Sequence, residues 1–196
     1  VDFVLSSTKF VPHFHIPLQS GSDKLLKAMR RRYDTSLYRR RIESILKKEP
    51  NCCIGVDVIV GFPGETNELF EETYNFLKDI GVSYLHVFSY SERPNTTAVR
   101  MEQTVPLEVR KERSARLRIL SEKLKRRFYE KQQGGVRPVL FECDNQEGKM
   151  YGFTDNYIRV SHDYDPALRN TIQMVSLDKF QNSTLLEGAI QEAVSV

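Results

Sequence analysis

The chain has 196 residues, 29 Lys/Arg against 26 Asp/Glu and 40% hydrophobic residues, enough for one or two domains with real cores. No apolar run approaches the length of a membrane span and no signal-peptide pattern opens the chain, so no membrane association is expected. Cys52, Cys53 and Cys143 offer no disulfide framework, and the default is a reduced, cytoplasmic protein.

The opening Val1-Asp-Phe-Val-Leu5 lacks an initiator Met and reads as the middle of a longer chain. Pro12–Leu18 is a short strand bounded by prolines. It runs into the polar turn Gln19-Ser-Gly-Ser-Asp23 and a helix over 24–30, with Ser22 or Asp23 as N-cap. Ser36 is expected to cap a further helix to about Lys48. His13 and His15 lie two apart on the strand and so face one side; they are a metal pair or, more simply, packed histidines.

Ile54-Gly-Val-Asp-Val-Ile-Val60 is a short β-branched apolar run, the pattern of a strand buried on both faces. Asp57 interrupts it, and a carboxylate there needs a cation or hydrogen-bond donors. A structural ion pair and a carboxylate held for a ligand's hydroxyls both satisfy that need. Gly61-Phe-Pro-Gly64 is a tight βα turn without the Gly-Lys-Ser/Thr ending of a phosphate loop. An amphipathic acidic helix follows from Asn67 to Ile80, closed by Gly81. Tyr84–Tyr90 is a third strand. Strands alternating with helices predict a parallel sheet, as in a barrel or an open α/β fold, with ligands at the carboxyl ends of the strands.

A long helix is predicted from Pro106 to about Gln133, its apolar stripe formed by Leu117, Leu120, Leu124 and Phe128. Beyond Gly134-Gly135, alternating segments at 139–143, 157–161 and 171–175 predict a small all-β module. The change of class sets the expected boundary: residues 1–133, then residues 134–196. Charge divides as well. Residues 24–48 carry ten Lys/Arg against two Asp/Glu, and residues 106–131 carry ten against four. From residue 136 onward there are five against nine. Two basic segments and an acidic tail suggest an anionic partner for the first part.

Together, His13-x-His-Ile-Pro-Leu-Gln-Ser-Gly-Ser-Asp23, Met29-Arg-Arg-Arg-Tyr33, Asp57-x-Ile-Val-Gly-Phe-Pro-Gly-Glu-Thr66 and Phe88-Ser-Tyr-Ser-x-Arg93-Pro resemble the radical S-adenosylmethionine methylthiotransferases. The resemblance runs in order along nearly the whole chain and is nearest to the branch acting on tRNA threonylcarbamoyladenosine. Tyr151-Gly-Phe-Thr-Asp-Asn-Tyr157 resembles the appended TRAM RNA-binding module of that branch. The resemblance implies the C-terminal half of a partial (βα)6 barrel followed by a small β-barrel. It implies an enzyme that adds a methylthio group to an adenosine beside the tRNA anticodon, using S-adenosylmethionine and two [4Fe-4S] clusters.

Carried onto this chain, Gln19 and Asp57 would hold the cofactor's ribose, with Ser20 beside them, and Arg31 its carboxylate. Gly61, Phe62, Pro63, Gly64, Phe88, Ser89 and Tyr90 would border the adenine. Arg39, Arg40, Arg41 and Tyr157 would contact RNA. The family's Cys-x3-Cys-x2-Cys cluster motif and its second cysteine set are absent from these 196 residues. The cluster ligands would lie in a preceding part, and this stretch by itself is expected to be inert. A relative acting on a ribosomal-protein aspartate and a non-catalytic RNA-binding module are the alternatives. The sulfur donor is not legible from the sequence.

Overall fold

The computed structural model describes residues 1–182 and 185–190. Two compact units emerge from the contacts: residues 14–50 with 54–124, and residues 1–13 with 51–53 and 125–196.

The first unit is built on a three-stranded sheet in the order β1-β2-β3, with β1 at His13–His15, β2 at Cys53–Val60 and β3 at Tyr84–Ser89. β2 and β3 are parallel, in a register that sets Asp57 opposite His86. β1 is shorter than the apolar run predicts, because Pro12 and Pro17 flank it and proline cannot donate to a ladder. The chain still follows β2 past the strand, through Leu18 and Gln19 amides donating to the Asp57 carbonyl and a parallel bridge from Gln19 to Val58.

Ile54, Val56, Val58 and Val60 are sealed from solvent, whereas Asp57 and Ile59 on the opposite face are only half-buried. The expectation of a strand buried on both faces is therefore corrected. One face is core, and the other carries His15, Asp57, His86 and Phe88.

Polar side chains of three of the helices tie them to the strands and turns beside them. α1 is a short helix at Asp2–Ser6, α2 spans Asp23–Ala28 and α3 spans Thr35–Lys48. α3 is capped by Asp34, whose carboxylate accepts from the Leu37 amide at 2.7 Å, and not by Ser36, whose hydroxyl donates to Asp34 instead. The longer carboxylate, one residue ahead of the first helical turn, reaches the free amides better than a serine already inside it. Tyr38 of α3 donates to the Ile16 carbonyl at 2.6 Å, and burial pushes its phenol up from its usual range. α4 spans Asn67–Asp79, capped by Thr66. Its Thr73 hydroxyl holds the Ser20-Gly21 turn by bonds to Ser20 Oγ and the Gly21 amide, both at 3.1 Å. α5 spans Leu107–Gln132. Its Ser121 hydroxyl accepts from the Leu85 amide at 2.8 Å and donates to the Leu85 carbonyl.

The second unit holds a closed barrel of five strands rather than the three expected: β4 at Val136–Phe141, β5 at Lys149–Thr154, β6 at Arg159–Asp163, β7 at Ile172–Asn182 and β8 at Leu185–Ile190, ordered β4-β5-β6-β8-β7. Closure removes the exposed edges that short strands otherwise present. Val139, Phe141, Met150, Ile158, Val160, Val175, Leu177 and Leu186 fill it together with Tyr129 from the end of α5. Tyr129 Oη accepts from the Arg159 amide, and burial pushes its pKa up to about 12.

Candidate functional site

The turn after β2 is the first part of the site. Gly61 and Gly64 adopt φ of +78° and +84°, a region glycine enters without steric cost. The turn closes on Glu65, whose Oε2 accepts from the Gly61 amide at 2.7 Å and from Arg113 Nη1 at 2.7 Å. Arg113 also donates to the Glu65 carbonyl and to Asn67 Oδ1. Both side chains are almost fully buried. Burial pushes the Glu65 carboxyl upward, against the pull of the Gly61 amide and the Arg113 guanidinium.

Arg110 braces the end of β3. It donates to the Val105 carbonyl at 2.8 Å, the Tyr90 carbonyl at 2.9 Å and Glu92 Oε1 at 2.6 Å, and its guanidinium lies over the Tyr90 ring. A Cβ on Gly61 would run into the Arg110 side chain. Glu65, Arg110 and Arg113 were not legible as site-forming residues. In sequence they look like members of an acidic turn and a solvated basic helix, and only their burial separates them from their neighbours.

At the carboxyl ends of β2 and β3 these braces frame a cleft of about 480 Å³, with Met29, Arg31, Ile59, Phe62, Phe88 and Tyr90 in its walls. Phe62 and Tyr90 meet edge to face, with ring centroids 5.5 Å apart. The Tyr90 hydroxyl is buried and has no hydrogen-bond partner among the described residues. A buried hydroxyl without a partner is costly, and here it belongs to a residue of the cleft wall.

Of the residues expected to bind a cofactor, Arg31, Phe62, Phe88, Ser89 and Tyr90 line this cleft. Gly61, Pro63 and Gly64 form the adjoining turn. Gln19, Ser20 and Asp57 are not in its lining. Gln19 is held by its backbone against Val58 at φ +77°. Ser20 is fully buried against Thr73. Asp57 Oδ1 lies 2.8 Å from His15 Nε2, at hydrogen-bond distance, on the open face of the sheet.

The residues expected at RNA lie on α3 and in the barrel. Arg40 and Arg41 are exposed, with Arg40 donating to the Ser36 hydroxyl, while Arg39 is half-buried over the Phe76 ring. Tyr157 stacks on His13, with centroids 4.2 Å apart, and on Phe153, 4.9 Å apart. Both of its faces are therefore used in stacking. Asn156, inside the same motif, is fully buried and donates to the Asn51 carbonyl and Gln132 Oε1.

The thiols do not suit an iron–sulfur cluster. Cys52 and Cys53 are adjacent and only 1% and 2% exposed, and Cys143 on the barrel contacts Asn170 Oδ1. Two sealed neighbours and one remote thiol are not a cluster-ligating set. No helix among the described residues is long and apolar enough to cross a membrane.

Residues 4–77 match the family model of the Radical SAM superfamily. Threonylcarbamoyladenosine tRNA methylthiotransferase MtaB of Bacillus subtilis (strain 168) is 44% identical over 158 residues, covering 79% of this chain and 35% of that protein. The protein of the same name from Aquifex aeolicus (strain VF5) is 41% identical over 161 residues, covering 82% and 38%. The tRNA-2-methylthio-N(6)-dimethylallyladenosine synthase of Bdellovibrio bacteriovorus is 40% identical over 147 residues, covering 74% and 32%. The chain thus spans about a third of the length of these curated relatives.

Proposed function

From the chain's place among the radical SAM methylthiotransferases, we propose that it forms the cofactor-cradling second half of an enzyme that methylthiolates a modified adenosine beside the tRNA anticodon. Residues 1–133 are the C-terminal part of a partial (βα)6 barrel, and residues 134–196 are a TRAM-like RNA-binding barrel. The reading is carried by the cleft at the strand ends, which joins Arg31, two phenylalanines and Tyr90, whose buried hydroxyl has no partner among the described residues. Aromatic walls and a few convergent polar groups are what an adenosine-bearing ligand needs.

Arg31 offers a guanidinium fork for a carboxylate, and Phe62 and Phe88 offer walls for a flat base. The turn Gly61–Gly64, fixed by Glu65 and Arg113, brings backbone close to the ligand. Asp57 and Gln19, outside the cleft lining, are the acceptors proposed for the ribose. S-adenosylmethionine, when bound, supplies the radical source and the methyl group. The cluster ligands are proposed to come from the preceding part of the whole enzyme, because the cysteines described above do not suit a cluster, and residues 1–196 alone are proposed to be inactive.

The test is cofactor affinity in the whole enzyme. Loss of a charged hydrogen bond costs about 1.5–3 kcal/mol, so Asp57→Ala is expected to weaken S-adenosylmethionine binding by about tenfold or more. Unchanged affinity by calorimetry, with the circular dichroism of the wild type, rejects the assignment.

A further inference from the structure

We propose that His15, Asp57 and His86 form a binding site for one divalent transition-metal ion on the open face of the three-stranded sheet. Each residue comes from a different strand. The register of β2 and β3 sets Asp57 opposite His86, and His15 on β1 reaches the same carboxylate, its Nε2 2.8 Å from Asp57 Oδ1. One ligand atom from each of the three residues lies within 4.8 Å of the other two. Two imidazoles and a carboxylate on one side of an ion are the facial donor set of octahedral iron(II)-type sites, which leaves three positions for water or another ligand.

Metal–ligand bonds of about 2.0–2.2 Å bring neighbouring donors to about 3–4 Å, so the wider contacts here must close by up to about 1–2 Å. The side chains have room to do so: His15 and Asp57 are 38% and 23% exposed, and His86 is exposed as well. His86 is already oriented, stacked on His15 with centroids 5.1 Å apart and edge-on to Tyr84 at 5.2 Å. His13, the partner that spacing along β1 suggests for His15, stacks on Tyr157 instead. Sequence adjacency thus names the wrong second histidine, and the sheet register supplies another together with the carboxylate.

The experiment is a zinc titration of the untagged 196-residue chain after chelator treatment, followed by calorimetry, with cobalt(II) substitution read by its visible absorption. One ion per chain is expected, together with imidazole-type cobalt spectra and a rise in the melting temperature on adding zinc. His15→Ala, Asp57→Asn and His86→Asn are each expected to weaken binding by at least about tenfold and to abolish the zinc-induced rise in melting temperature. His162→Ala, on the barrel, is expected to change neither. The apo melting temperatures of the variants show that each is folded. Absence of stoichiometric binding overturns the proposal, and so does binding that survives both Asp57→Asn and His86→Asn. The titration uses no adenosine ligand, so its failure leaves the cofactor reading of Asp57 standing, and failure of that reading leaves the ion site standing.

Discussion

Arg113 and Glu65 meet at 2.7 Å with side chains only 6% and 1% exposed, and Glu65 Oε1 is buried without a partner among the described residues. A pair this deep forgoes most of its hydration, so its net contribution to stability is small while the cost of breaking one side is large. Arg113→Met leaves an uncompensated buried carboxylate and is expected to destabilise the chain by about 3–5 kcal/mol. The double variant Arg113→Met/Glu65→Leu removes that charge but strips the Gly61 amide of its acceptor, and is expected to lose only about 1–3 kcal/mol. Urea unfolding followed by circular dichroism reads both. A single variant as mild as the double one would mean that the pair does not hold the turn. Several of the basic side chains of α5 are committed within the chain. Arg110 and Arg113 are buried, Arg116 pairs with Glu71, and Arg126 pairs with Glu130 and lies over Phe180.

At the scale of elements, the turn between β2 and α4 separates backbone strain from packing. Gly61 and Gly64 both have positive φ, but a Cβ on Gly64 meets only Gln103 Oε1 at 3.8 Å, whereas one on Gly61 strikes Arg110. Gly64→Ala is expected to cost only the left-handed conformation, about 1–2 kcal/mol. Gly61→Ala should cost clearly more, because Arg110 must also leave the Tyr90 and Val105 carbonyls. Equal losses in urea melts would reject the packing argument. The alternation of helix and strand was readable here because each element carries its own signal. β2 is a β-branched run, α4 has a 3.6-residue apolar period, and Gly81 ends it at φ +83°. The barrel was half-readable. β5 and β8 were missed because Gly152 and Gly188 interrupt their apolar alternation, at places where a side chain would strike Val139 and Val175 of neighbouring strands. The Phe88–Tyr90 motif picked out a stretch that lines the cleft. The His15–Asp57–His86 layer could not be found, since the three strands are separated by helices and spacing within one strand does not say which residue of another lies beside it.

At the scale of the molecule, charge is uneven in a way that bears on RNA. The segment 24–48 has ten cations against two anions, while the chain from 136 onward has five against nine. Most sequence-independent affinity for a polyanion comes from cations that release counterions. In the proposed enzyme that grip therefore falls to α2 and α3 rather than to the barrel. Within α3 the three arginines are not equivalent. Arg39 is committed to the Phe76 ring, while Arg40 and Arg41 are exposed. Neutralising Arg40 and Arg41 to Gln in the whole enzyme is expected to weaken tRNA binding and to flatten its log–log salt dependence by up to about two units, near 0.9 per phosphate contact. Adding Arg39→Gln should change the slope little further. Tyr157, proposed to touch RNA, carries no charge, so Tyr157→Ala should lower affinity at every salt concentration and leave the slope unchanged. A filter-binding series across salt concentrations separates these outcomes. If the α3 double variant keeps the wild-type slope while Tyr157→Ala flattens it, the basic helix is a solvated face and the electrostatic contact lies on the barrel.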